Sequence, residues 1–215
     1  MKKLSIINEN IFDGIGRRSK GGVKRKEDEV ESVDLGLPSG TIWAACNLGA
    51  SSPEEYGNYY AWGETKPKDK YDWDTYKFGT ENKLTKYNKK DGKTILDPED
   101  DAANTVLGGK WHMPTEEQIQ ELIDNTTNEH SKLNGVYGKL LTSKINGKEL
   151  FFPYSGQYSD GFVSDEDTWS LCWSSSLYEH SPNYAMLIFS DIFSNIFDHG
   201  DRYFGYSVRG VLDKK

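Results

Sequence analysis

Ser174-Ser175-Ser176 stands a few positions before His180, the residue types of nucleophilic acyl transfer. That chemistry needs a serine or cysteine within hydrogen-bond reach of a base. No nucleophile elbow surrounds these serines, so a serine-rich turn is the expectation. His112, His130, His180 and His199 are dispersed, with no His-x-x-x-His or similar zinc spacing. His112, between Trp111 and Met113, reads as a packed residue at the edge of a core. Cys46 and Cys172 show no metal-ligand spacing and make no disulfide framework. They read as buried thiols, with a surface position as the alternative for Cys172. Gly14-Ile15-Gly16 precedes no strand–helix unit that would cradle a phosphate. The acidic run Asp97-Pro98-Glu99-Asp100-Asp101 invites a calcium reading but lacks the alternating ligands of a loop site. It reads better as a helix start, with Asp97 capping, Pro98 at the first helical position and carboxylates at the positive end of the dipole. A carboxylate pair for glycoside cleavage depends on spatial separation, which sequence does not display. The expectation is a protein that is not an enzyme, with no metal and no cofactor.

Binding chemistry is better represented. Residues 151–200 contain no Lys or Arg, while Asp160, Asp165, Glu166, Asp167, Glu179, Asp191 and Asp198 are present. Tyr, Phe, Trp, Ser, Asn and Asp dominate there, the types that binding loops favour for rigid contact area and adaptable hydrogen bonds. Ile192-Phe193-Ser194-Asn195-Ile196-Phe197 fits a core strand and an exposed patch equally well.

The elements that must position these residues follow from local signals. Thr115-Glu116-Glu117-Gln118 is a capping box, and Ile119, Leu122 and Ile123 follow at helical spacing. Asn146-Gly147 marks a hairpin between strands at 140–145 and 148–152. Leu37-Pro38-Ser39-Gly40 is a turn leading into a buried strand from Thr41 to Cys46. Repeats and heptads are absent. Residues 1–32 carry Arg17, Arg18, Lys20, Lys24, Arg25 and Lys26 among four glycines, and then an acidic stretch. They read as a flexible leader, or as an attachment peptide anchored by Ile6, Ile7, Ile11 and Phe12.

The whole chain of 215 residues has 26 basic and 34 acidic side chains, a net charge of −8. That balance argues against nucleic-acid binding. Aromatic content of 13% favours a folded chain over a disordered one. No apolar run has the length of a membrane span, and the apolar opening before Asn8 is too short for a secretory signal. No lipid-accepting cysteine follows it. Synthesis in the cytoplasm without a signal peptide is the expectation.

Several segments carry a resemblance. Val33-Asp34-Leu35-Gly36-Leu37-Pro38-Ser39-Gly40-Thr41-Ile42-Trp43-Ala44, Glu55-Tyr56-Gly57-Asn58-Tyr59-Tyr60-Ala61-Trp62-Gly63-Glu64-Thr65 and Gly108-Gly109-Lys110-Trp111-His112-Met113-Pro114-Thr115-Glu116-Glu117 occur in order. Trp173-Ser174-Ser175-Ser176 and Ser207-Val208-Arg209-Gly210-Val211 complete the set. Together they resemble the formylglycine-generating-enzyme-like C-type lectin domains of Bacteroidetes proteins and their phages, over about 33–212. His112 and Met113 replace the Arg and Leu of that family's Trp-Arg-Leu-Pro-Thr-Glu signature. The resemblance implies an α+β C-type lectin fold, with short twisted antiparallel strands, two short helices and much irregular loop, over 33–215. The oxidative cysteine pair and the calcium-and-sugar tripeptides of related groups are missing, so neither activity carries over.

Within that family, 155–206 resembles the variable region of a diversity-generating retroelement protein, in which adenine-derived codons are randomised. Such codons cannot reach Lys, Glu, Gln, Met or Trp, and every residue of 188–205 avoids those types. Chance achieves this in about one window in fifty. The resemblance implies a hypervariable ligand-binding protein, the receptor-binding or adhesion component of a phage or prophage, virion associated and facing a protein or glycan on a host cell. The alternative is a fixed carbohydrate-binding domain of the same family. Expected anchors are Tyr158, Tyr178, Tyr184, Phe193, Tyr203, Phe204 and Tyr206. His180, Ser190, Asp191, Asp198, His199 and Asp201 would add polar selectivity, and Ile188, Ile192 and Ile196 apolar area. Trp173, Ala185, Leu187, Arg202, Gly205, Ser207, Val208 and Arg209 would hold the scaffold. Assembly through the leader would give a homo-oligomer.

Overall fold

Short antiparallel ladders, most of them closed by a local turn, build most of the protein. The computed structural model describes residues 30–191 and 193–214. The leader reading of the N-terminal segment falls on residues almost all of which lie outside that range, as does Ile192. β1 (Ser32–Val33) pairs with β2 (Ile42–Ala44), which pairs in turn with β13 (Val211–Leu212) near the other end of the chain. β3 (Gly79–Thr80) and β4 (Lys83–Leu84) form a small hairpin, and β8 (Ser155–Ser159) and β9 (Phe162–Glu166) another. Two three-stranded meanders supply the larger sheets: β5 (Thr126–Leu133), β6 (Val136–Ser143) and β7 (Glu149–Pro153), then β10 (Ser170–Leu177), β11 (Tyr184–Ser190) and β12 (Asn195–Asp201). With α1 (Ala102–Leu107) and α2 (Glu116–Asn125), the class among the described residues is α+β and rich in sheet. No helix of the described residues is long and apolar enough to cross a membrane.

The capping box forms as expected. Thr115 Oγ1 accepts the Gln118 amide at 3.3 Å, and Gln118 Oε1 accepts the Thr115 amide at 2.9 Å. Ile119 and Leu122 point inward and are fully buried. The acidic run differs from expectation. Pro98 does open a 3-10 turn, but Asp97 makes no capping bond because Lys86 and Lys93 hold its carboxylate. Asp101 caps instead: its Oδ1 accepts the Asn104 amide at 2.9 Å and its Oδ2 the Met113 amide at 2.8 Å. One carboxylate therefore starts α1 and ties it to the approach to α2. Asn146-Gly147 lies in the β6–β7 connection, where Ser143 Oγ accepts the Ile145 and Asn146 amides. The tighter two-residue turn is Asn134-Gly135, joining β5 to β6 with φ of 48° and 95°. Both residues then sit in the left-handed region, as a type I′ hairpin turn demands.

Ser174-Ser175-Ser176 is not a turn. The three serines lie in β10, buried, at an irregularity in its register with β11 between Trp173 and Leu177. Ser174 Oγ accepts the Ser176 amide and Ser176 Oγ accepts the Glu116 amide, so their hydroxyls satisfy local backbone and help start α2. Both cysteines are free; Cys172 is buried, and burial pushes its thiol up to about 11.

β10 and β11 separate two apolar cores. Leu171, Trp173, Ala185 and Leu187 face one, built around Trp62, Tyr76, Phe78, Tyr87 and Tyr206. Cys172 and Ile188 face the other, with Trp43, Ile119, Leu122, Leu141 and Phe152. The sheet is covered on both sides, which is why its strands lack the polar alternation of a surface sheet. A nearly extended stretch from Gly205 to Val211 threads beside it. Trp173 donates its amide to Ser207 O at 3.0 Å, and Tyr60 and Tyr206 exchange amide bonds at 2.9 and 3.1 Å. All eight expected scaffold residues, from Trp173 to Arg209, are buried.

Two of those eight are arginines with no exposed surface. Arg202 donates to the Tyr76 hydroxyl at 2.8 Å and to the carbonyls of Tyr87, Pro182 and Lys86 at 3.1, 2.9 and 3.2 Å. Its guanidinium carbon lies 4.7 Å from the Trp62 ring centre and 5.3 Å from that of Tyr76. Burial lowers its pKa, opposed by Tyr76 and Tyr87. Neutral oxygens and ring faces thus replace a carboxylate as the partner of a buried cation.

Candidate ligand-binding surface

The β11–β12 hairpin projects residues of the 178–206 stretch in two groups. At its base, the Tyr178 and His199 rings stack in parallel, 4.2 Å apart and within 4° of coplanar orientation. Tyr184 meets His199 edge-on at 5.2 Å, and His180 meets Tyr178 edge-on at 5.2 Å. His199 Nδ1 lies 3.3 Å from Asp198 Oδ1, and His180 Nε2 lies 3.1 Å from Glu179 Oε1. Asp201 stands directly across from Tyr184 in the ladder. Burial raises its carboxyl pKa and Glu81 adds to the effect, while His199 opposes it. At the tip, Phe193 is 87% exposed and Ile196 46% exposed. The exposed reading of 192–197 therefore holds for these two, whereas Phe197 packs against the second core.

Tyr203 packs against the first core. Its ring lies 5.0 Å from Trp73 and 4.5 Å from Phe204. Burial pushes the Tyr203 hydroxyl up to about 12, reinforced by Asp201, Asp160, Asp72 and Glu81 around it. Trp73 and Glu81 were not among the expected contacts. The triplet Asp72-Trp73-Asp74, an aromatic between two acids, is the local signal that could have drawn notice to the first of them. Tyr158 is half-buried beside the Tyr59 and Tyr71 rings, its hydroxyl donating to Asp69 O at 3.2 Å.

Four expected contacts belong elsewhere. Ile188, Ser190 and Tyr206 are 2%, 2% and 4% exposed. Ile188 fills the second core, and the Tyr206 ring lies tilted against Trp173 at 4.4 Å. Asp191 organises the hairpin turn, its Oδ1 accepting the Phe193 and Ser194 amides at 2.7 Å each. Ile188 and Ser190 are buried because both faces of β11 are covered, and Tyr206 because its stretch threads through the first core, so reachable residue type does not imply reachable position.

The calcium reading of the acidic run meets a filled site. Asp97, Glu99 and Asp100 come close enough to share a cation. Lys86 Nζ already lies 2.6 Å from Asp97, 3.6 Å from Glu99 and 2.5 Å from Asp100, and Lys77 reaches Asp100 at 2.6 Å. Burial raises the Asp100 pKa, but bonds from Lys77, Lys86 and Tyr87 outweigh it and leave the carboxyl below its ordinary value. A carboxyl lowered on folding stabilises above its unfolded value and loses that contribution as pH falls through the folded one. Millimolar calcium is expected to leave the melting temperature unchanged. Acidification below about pH 4 should lower it, less steeply for Asp100→Asn. A calcium-dependent rise in a thermal melt would refute the lysine-filled description.

Compared with known proteins, the chain matches no family model, no curated protein and no solved structure. The functional reading therefore stands on the residues themselves. What this surface offers is ring faces and carboxylates, without a nucleophile–base pair among them.

Proposed function

We propose that the protein is a ligand-binding protein of the C-type lectin kind with a diversified recognition surface, serving as a receptor-binding or adhesion component of a phage or prophage. One observation carries the reading. Within 178–206, exposed or half-exposed Tyr178, His180, Tyr184, Phe193, Ile196, Asp198 and His199 interleave with buried Ala185, Leu187, Arg202 and Gly205. The outward positions are free to change without touching either core, and the inward ones hold the frame. The rings of Tyr178 and Tyr184 beside Asp198 and Asp201 also favour a second reading, a fixed sugar-binding domain, because aromatic faces stack on sugar rings.

Deep sequencing of the 3′ end of the gene and its flanking DNA, from one clonal source population, tests the proposal. Substitutions are expected at the outward positions, with Trp173, Leu187, Arg202 and Gly205 constant, beside a near-copy repeat and a reverse transcriptase. A uniform sequence without a repeat would remove diversification and leave the fixed domain.

A further inference from the structure

The face around Tyr178, Tyr184 and His199 is rich in carboxylates, and Lys93, next to the Thr94 that bonds Leu177, is held by Asp97. Residues 151–200 contribute no lysine or arginine to it, and Arg202, just beyond, has no exposed surface. Glu179, Asp198 and Asp201 come from the segment itself. Glu81 approaches Asp201, and both lie near Tyr203 with Asp160. Among the described residues, no lysine or arginine forms an ion pair with Glu179, Asp198 or Asp201; Glu179 and Asp198 pair only with the histidines already described. Lys70, on the Asp72–Asp160 side, is held by Asp72. Ordinary surfaces intersperse both signs, and carboxylates gathered without cations repel one another until an opposite charge arrives.

The aromatic component selects among the possible occupants. Ring faces attract ammonium and, better, the flat guanidinium group, while an adjacent carboxylate takes its N–H fork in a bidentate pair. A neutral sugar would stack on the rings and donate its hydroxyls to the carboxylates but leave their charge unneutralised, and an anionic sugar would be repelled. We propose that this face docks the lysine- and arginine-rich surface of a protein partner, with a cationic side chain seated between the Tyr178–Tyr184–His199 rings and the Asp198 and Asp201 carboxylates. The inference rests on the reading of this face as the ligand surface and names the chemistry of its partner. One occupant from within the chain competes: the basic stretch Arg17, Arg18, Lys20, Lys24, Arg25 and Lys26.

Panning the full chain against a random dodecapeptide display library provides the test. Enriched peptides are expected to carry net positive charge. Their affinity should fall about tenfold in Asp198→Asn/Asp201→Asn, fall in Tyr178→Ala, and weaken between about 50 and about 500 mM salt. Glu129→Gln, an exposed change on β5, should leave it unaltered, and thermal melts should show each variant folded. Enrichment of uncharged peptides that still depend on Tyr178 would overturn the cationic partner while keeping the ligand surface. Peptides indifferent to both variants would overturn the inference and the surface reading together. Salt-insensitive binding to neutral glycans on an array, with no basic peptide enriched, would overturn the inference in favour of a sugar. In a full chain with the six basic residues changed to Gln, an unchanged affinity supports an external partner. A gain of about tenfold would assign the face to that stretch instead.

Discussion

Arg209→Ala is expected to destabilise the protein by about 4 kcal/mol. Arg209 has no exposed surface and serves as a hub between three parts of the chain. Its Nε and Nη2 both donate to Asn47 Oδ1, at 2.9 and 2.8 Å. Nη1 reaches Ala45 O at 2.9 Å, and Nη2 reaches Phe151 O at 3.1 Å. The guanidinium carbon lies 4.4 Å from the Phe152 ring centre. Alanine would leave these acceptors dry, each at a cost of about 1–3 kcal/mol, partly relieved by water entering the space. Burial lowers the Arg209 pKa, so the folded state holds its proton less tightly than the unfolded chain; stability rises with pH only in the strongly basic range. Near neutrality the desolvation penalty is constant, and the hydrogen bonds must offset it. Arg209→Lys keeps a charge but not the planar fork, and should lose about half as much. Urea unfolding at unchanged m-value reads both. A loss under about 1 kcal/mol for alanine would show that the guanidinium is not the clamp.

Ile188→Asn and Phe193→Asn should behave oppositely, although the two residues are five positions apart in the same compositional tract. Ile188 faces Cys172 across the ladder and packs with Ile119 and Leu122 in the second core. Asparagine there removes apolar contact and buries an amide without a partner, a loss of about 4 kcal/mol. Phe193 is 87% exposed, and its replacement should change stability by less than about 0.5 kcal/mol. Thermal and urea unfolding of the two variants give a direct comparison. Equal tolerance would mean that β11 does not divide two cores; equal damage would mean that the hairpin tip is itself packed.

The same contrast separates what was legible in the sequence from what was not. The start of α2 was readable because Thr115 and Gln118 are three residues apart and need nothing else to bond. The scaffold residues Trp173, Leu187, Arg202 and Arg209 were readable through a resemblance of motifs, and their burial agrees with that role. Asp101 as the cap was not, since Asp97 has equal local claim until Lys86 and Lys93 arrive from β4's far side and the following turn to hold it. Trp73 lies 130 residues before Tyr203 and Glu81 120 before Asp201, so no window of sequence joins them.

By itself the sequence determined part of the local geometry and the chemistry on offer: the α2 cap, turn residues, and a carboxylate- and ring-rich stretch, 151–200, without Lys or Arg. Those properties depend on residue type and on neighbours within a turn or two. Which of the stretch's side chains meet water was decided only by the tertiary structure. With a core on each side of β10 and β11, alternation along a strand no longer distinguishes inside from outside. Ile188 and Tyr206 were drawn inward by Ile119, Leu122 and Trp173, while Tyr178, Tyr184 and His199 were left at the rim where the cores end.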